Sequence, residues 1–203
     1  TAGYTLAVDN VAISNFIFTA NFADITTLFN LTTAKNFTVE NCLFKATAAN
    51  MNFVTIVTND ATDNRTDGLT VANCKWIEPD LATLSLVDNN AATDSMTLQG
   101  NYLNLGVKNS TASLIEGSSK ALTNLICDGN TLYRLNTTQA TGSLIVTSST
   151  ACSGIVSNNF VYNLDATNGY LLVTAGSKLT FRDNRVTAAA DTSGFIMPVI
   201  DSV

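Results

Sequence analysis

Histidine is absent from the 203-residue chain. With it goes the side chain used most often as a general base near neutral pH and as a transition-metal ligand. Charge is also scarce: 10 Lys and Arg face 16 Asp and Glu, together 13% of the chain, where about 25% is usual for a globular domain. The few cations are scattered along the sequence, so no cluster exists to displace counterions from a phosphate backbone, and neither nucleic acid nor anionic membrane is an expected partner. Proline occurs only 2 times, which excludes a Pro-rich linker. There is no apolar run of about 18 residues to cross a membrane as a helix. The opening Thr1-Ala2-Gly3-Tyr4-Thr5-Leu6 lacks the basic-then-apolar layout of a signal peptide.

What fills the chain instead is neutral and polar. Thr 30, Asn 24 and Ser 15 make up about a third of the residues, beside a hydrophobic share of 46% and a net charge of −6. That apolar share is large enough for a core, and the length suits one domain spanning 1–203. The surface must then be built largely from hydroxyls and amides.

A repeat organises these residues. Seven short units recur, each with β-formers before an Asn and apolar residues after it: AISNFIF, TVENCLF, TVANCKW, TLQGNYL, LICDGNTLY, IVSNNFVY and TFRDNRV. Their anchors are Asn15, Asn41, Asn73, Asn101, Asn130, Asn159 and Asn184, at spacings of 26, 32, 28, 29, 29 and 25, a mean of about 28 residues. A second apolar segment follows each anchor, as at Leu28-Phe29, Phe53-Val54, Leu84-Ser85-Leu86 and Leu114-Ile115. The segments are short, β-branched and flanked by Asn, Asp, Gly, Ser and Thr, so they read as strands, and no helical period competes. Strands phased at such a period predict a parallel β-solenoid in which each coil bonds only to its neighbours. Seven antiparallel hairpins in a sandwich are the alternative, but they need no such phasing. Seven coils at about 4.8 Å per strand give a column about 34 Å tall.

The anchoring asparagines are expected to be structural. Asn tolerates the left-handed conformation that a bend between strands requires, and stacked amides can bond up the column as a ladder.

On these T-V/L-x-(x)-N-x-hydrophobic units the chain resembles the right-handed parallel β-helix family of pectate lyases, polysaccharide depolymerases and phage tailspikes, from Val11 to Ile200. The resemblance implies a single-stranded, right-handed all-β solenoid. Enzymes of that family act on polysaccharide with clustered carboxylates, Ca²⁺ and sometimes a basic residue. Glu40 and Asp183 both precede an anchor Asn, but five coils separate them, about 24 Å, beyond the roughly 5–9.5 Å of a glycosidase pair. Asp128 and Arg182 are expected at a solvated sheet edge. The densest acidic stretch is Asp60, Asp63 and Asp67, followed one coil on by Asp88 and Asp94. Stacked loops would bring these oxygens together for a hard cation, although neither stretch has a calcium-loop spacing and Asp in turns serves turn geometry. They are weak metal candidates; no catalytic residue and no cofactor is assigned.

Cys42 and Cys74 each follow an anchor in consecutive coils and are expected to stack as buried thiols, with Cys127 and Cys152 in no such register. Phe16, Phe18, Phe44, Trp76, Tyr133, Phe160 and Tyr162 recur just after the anchors, which suits stacked core packing more than a sugar-binding face. Both termini read as uncapped strands, a hazard that another surface must cover. The candidates to cover them are a partner protein, copies of the same chain, a trimer included, or further parts of a longer chain; the resemblance makes other virion proteins the expected partners, with a glycan as a further ligand. The resemblance thus points to a non-enzymatic structural or binding protein of a virus particle: a phage capsid decoration, fibre or tailspike-like part, located on the virion or outside the cell. The alternatives are a secreted polysaccharide lyase or hydrolase, and a bacterial surface adhesin.

Overall fold

The computed structural model describes residues 2–23, 25–48, 51–59, 65–77, 83–104, 111–117, 120–133, 144–147, 151–164, 171–173, 178–188 and 199–200. Among these there is no helix, and every strand pairing is parallel. The strands form three long sheets. Sheet A has eight strands, from Ala2–Leu6 and Ile25–Leu31 through Phe53–Asn59, Thr83–Asn89 and Thr111–Gly117 to Ile145–Thr147, Leu171–Val173 and Val199–Ile200. Sheet B has seven: Ala12–Ser14, Thr38–Glu40, Thr70–Ala72, Thr97–Gln99, Leu125–Asp128, Ser153–Ser157 and Lys178–Arg182. Sheet C has seven: Ile17–Ala20, Leu43–Ala46, Lys75–Ile77, Tyr102–Asn104, Thr131–Tyr133, Phe160–Leu164 and Arg185–Ala188. The chain visits B, C and A in turn and then repeats, which makes it an all-β parallel solenoid with coils about 28 residues apart. About four coils, rather than the seven expected, are described on all three faces with their side chains; the loops and sheet A side chains of the later coils lie outside the described residues.

Register explains the core. Along sheet B, Val39, Val71, Leu98, Cys127 and Val156 stack as one inward row; along sheet C, Phe44, Trp76, Leu103, Leu132 and Val161 do the same. All ten are buried. In sheet A two successive apolar residues per coil are buried, Leu28-Phe29, Ile56-Val57, Leu86-Val87, Leu114-Ile115 and Leu144-Ile145, and Thr55, Ser85 and Ser113 are buried directly before three of these pairs. Strict alternation would bury only one of each pair, and the cross-strand register skips the first member between Leu28, Ile56, Leu86 and Leu114. Each full burial of such a side chain is worth roughly 1.5–3 kcal/mol before entropy is counted.

The corner between sheets B and C splits the work that a single Asn position was expected to do. Its first residue is left-handed in every coil: Asn15, Asn41, Asn73, Gly100, Gly129, Asn158 and Asp183, with φ between 53° and 65°. Its second residue is Phe16, Cys42, Cys74, Asn101, Asn130, Asn159 and Asn184 in turn. The amide ladder runs only through the last four. Asn101 Nδ2 donates to Asn130 Oδ1 at 3.0 Å, Asn130 Nδ2 to Asn159 Oδ1 at 2.9 Å and Asn159 Nδ2 to Asn184 Oδ1 at 3.0 Å. Each Oδ1 also accepts the backbone N–H of the coil before, and each Nδ2 also donates to a carbonyl of that coil. Asn15, Asn41 and Asn73 instead hold the exposed turn position, where a short polar side chain relieves a backbone that costs other L-residues about 1–2 kcal/mol. The same shift removes Asp183 from the row of Glu40. That row reads Ser14, Glu40, Ala72, Gln99, Asp128, Ser157 and Arg182.

Candidate functional site

A second left-handed corner lies between sheets A and B, at Asn10, Asn36, Ser95 and Asn124, with Gly68 in the same stack. The residues just before it carry two of the candidate metal ligands. Asp67 Oδ1 accepts the backbone N–H of Asp94 at 3.0 Å, and its Oδ2 lies 3.5 Å from Lys35 Nζ. Asp94 Oδ1 accepts from Thr123 Oγ1 at 2.6 Å and Asn124 Nδ2 at 2.8 Å, and its Oδ2 from Ser95 Oγ at 2.8 Å. Those bonds, Thr123 first, hold the Asp94 carboxyl below the usual Asp range. Asp9, two positions before Asp67 in the same row, accepts the backbone N–H of Lys35 at 2.8 Å. The corner acids thus bind the next coil of the chain itself.

The remaining acidic candidates are dispersed. Asp88 lies on sheet A beside Glu116 of the next coil, with Asn90 Nδ2 donating to its Oδ2 at 3.0 Å. Burial first, and the Asp88 charge second, raise the Glu116 carboxyl above its ordinary value. Asp60 and Asp63 lie outside the described residues. Among the described residues no three His, Cys, Asp or Glu side chains gather as a metal site. On sheet B, Asp128 Oδ1 accepts from Ser157 Oγ at 2.7 Å and Asn158 Nδ2 at 2.8 Å, which lowers its pKa, with Arg182 a smaller contributor.

Alternation along sheet C divides the aromatics. Phe44 and Trp76 point inward and are buried, as core packing requires, whereas Phe16 at the corner is 58% exposed. Tyr102, Tyr133, Phe160 and Tyr162 fall on the outward positions flanking the buried Leu103, Leu132 and Val161. Tyr102 and Tyr133 stack at 6.4 Å, Tyr133 and Tyr162 at 5.0 Å, and Phe160 meets Tyr162 edge-on at 6.1 Å. The Arg185 guanidinium sits 5.9 Å over the Phe160 ring. Tyr102 is a member of this strip that the recurring aromatics omitted; its signal is its place directly after a ladder Asn, the same as that of Phe160 after Asn159.

All four cysteines are buried free thiols. Cys74 stacks on Cys42, and burial pushes its thiol up to about 12. Cys127 is likewise pushed up to about 12 by burial. At the first coil an apolar cavity of about 260 Å³ is lined by Tyr4, Leu6, Ile13, Phe16, Phe18 and Phe29. Fold and site therefore define a parallel β-solenoid with an amide spine and an outward aromatic strip. Neither a protein-family model nor a curated protein matches the sequence.

Proposed function

We propose that the protein is a non-enzymatic structural and binding column of a virus particle, of the capsid-decoration, fibre or tailspike-like kind, which meets host glycans with its side. The observation that carries this reading is the outward strip of Tyr102, Tyr133 and Tyr162 on a stack of coils tied together from within. Such a stack holds its surface groups at fixed spacing, which lowers the entropy lost on binding an extended ligand. The described corner acids support a structural role, because Asp67 and Asp94 spend their oxygens on the neighbouring coil. The partners in this reading are other particle proteins or further copies of the chain. Native mass spectrometry and imaging of intact particles from the source material test it. Fixed, stoichiometric copies are expected; a free monomer that depolymerises polysaccharide refutes the proposal.

One observation favours the second reading, a secreted polysaccharide-cleaving enzyme. Asp88 and Glu116 sit side by side on sheet A, and a carboxyl raised by burial beside a second acid is the pairing that acid-assisted glycoside cleavage uses. Loss of all cleavage in both Asp88→Asn and Glu116→Gln would establish that reading.

A further inference from the structure

The cations of this acidic chain are unevenly distributed over its faces. Sheet A carries Asp88 and Glu116, and sheet B carries Glu40 and Asp128 beside Lys178 and Arg182. Among the described residues of sheet C none is acidic, yet Lys45, Lys75 and Arg185 all stand exposed on it. In a chain of net charge −6 that face is the positive exception.

We infer that the outer face of sheet C is a docking strip for an extended anionic polysaccharide, a uronate-type chain laid along the column axis. The inference rests on the glycan-contacting reading above and adds the face, the ligand charge and the direction.

Three features lead to it. First, the cations are spread along the axis. Lys45 and Arg185 belong to strands five steps apart in the sheet, about 24 Å at the spacing of paired strands. Lys45 and Lys75 stand on neighbouring strands and Arg185 four strands beyond Lys75, so a linear chain reaches all three, whereas a compact anion cannot bridge the lysines and the arginine. Second, the aromatics between them suit anionic and hydroxylated ligands. Tyr133 and Tyr162 lie nearly parallel, 29° apart at 5.0 Å, so their faces cover each other along the stack. What they present outward is the ring edge, the positive end of the aromatic quadrupole, together with a phenol that donates hydrogen bonds. Third, Arg185 is held over Phe160, so its planar fork is positioned before a carboxylate arrives. Three cations are too few for strong counterion-driven binding of nucleic acid, so the chemistry favours a sugar chain that adds hydroxyl contacts to its charges.

Titration calorimetry of the full chain provides the test, with alginate oligosaccharides and the same oligosaccharides as neutral esters. The carboxylate form is expected to bind at least tenfold more tightly than the ester. The Lys75→Glu, Arg185→Glu double variant should lose at least tenfold of alginate affinity at unchanged melting temperature, and Tyr133→Ala should weaken both forms. Lys178→Gln, which removes an exposed cation from sheet B, should bind as the parent does. Should the double variant fold poorly, Lys75→Gln alone is read, with a smaller loss expected in the same direction. Parental affinity in all sheet C variants refutes the face while leaving glycan contact intact. Equal affinity for the ester refutes the charge preference. No binding of either form removes both the strip and the glycan reading, and equal binding of single-stranded poly(dT) reduces the face to a general polyanion surface.

Discussion

Replacing Asn130 by Ala tests the division of labour at the corner between sheets B and C. The side chain is fully buried and makes four ladder bonds: Nδ2 to Leu98 O and to Asn159 Oδ1, and Oδ1 from the backbone N–H and the Nδ2 of Asn101. Two affected groups keep a partner, since Asn101 Nδ2 still reaches Val71 O and Asn159 Oδ1 still accepts Asn130 N–H. The Asn101 N–H and the Leu98 carbonyl lose the bond that Asn130 supplied. At about 1–3 kcal/mol for each buried polar group left unpaired, plus a small cavity, the cost comes to about 3–5 kcal/mol. Asn73→Ala at the exposed turn removes no buried bond of this kind and should cost about 1–2 kcal/mol, the strain of φ 53° in a residue with an ordinary Cβ. Urea unfolding followed by circular dichroism gives both costs, and amide hydrogen exchange at Asn101 reports the lost acceptor directly. Equal costs for the two variants, with Asn101 exchange unchanged, would refute the reasoning.

Other expectations follow from titration and burial. Because the folded Asp94 carboxyl is held below its unfolded value, it adds stability above about pH 4 that disappears as pH falls further; Asp94→Asn should flatten the acid limb of a plot of melting temperature against pH. Glu116 has the opposite sign. Its raised folded pKa favours the protonated form, so its contribution is present below about pH 4 and is lost as pH rises, and Glu116→Gln should raise the melting temperature at pH 7 but not at pH 4. Cys74 and Cys127, both near 12, should resist iodoacetamide at pH 8 in the folded protein, with four thiols alkylated after denaturation; four unreactive sulfurs in the denatured chain would contradict the free-thiol assignment. Calcium and EDTA should leave the melting temperature unchanged, since a resident ion would add stability by mass action and the Asp67 and Asp94 oxygens are already bonded within the chain.

The solenoid was legible because a coil that bonds only to its neighbours must repeat its strand and turn residues at one period. The positions within the coil were less so. Asn serves both as a residue that tolerates a left-handed backbone and as a buried amide, and this chain uses it for the two purposes at adjacent positions. Keyed on Asn, the repeat therefore slips by one residue between Asn73 and Asn101: the spacing is 28, while the residue stacked on Asn101 is Cys74, at 27. That slip put Asp183 beside Glu40 in one row. The outward rings were misassigned for a related reason. A fixed offset from the turn does not say which way a side chain points, and in strands one residue of shift exchanges core for surface. Trp76 is thus buried, while Tyr102, next along the chain's stack at the neighbouring offset, is outside.

The interior also changes substance along the axis. Its early coils are filled by Phe18, Phe29, Phe37, Phe44 and Phe53, in mutual ring contact. From Asn101 onward a cord of amides accompanies aliphatic side chains. Apolar cohesion fades on cooling, whereas the amide cord does not owe its strength to water in the same way. Both halves share apolar burial, but the later coils add a directional cord of amides that the phenylalanine-filled coils lack, so cooling should weaken the phenylalanine-filled coils more.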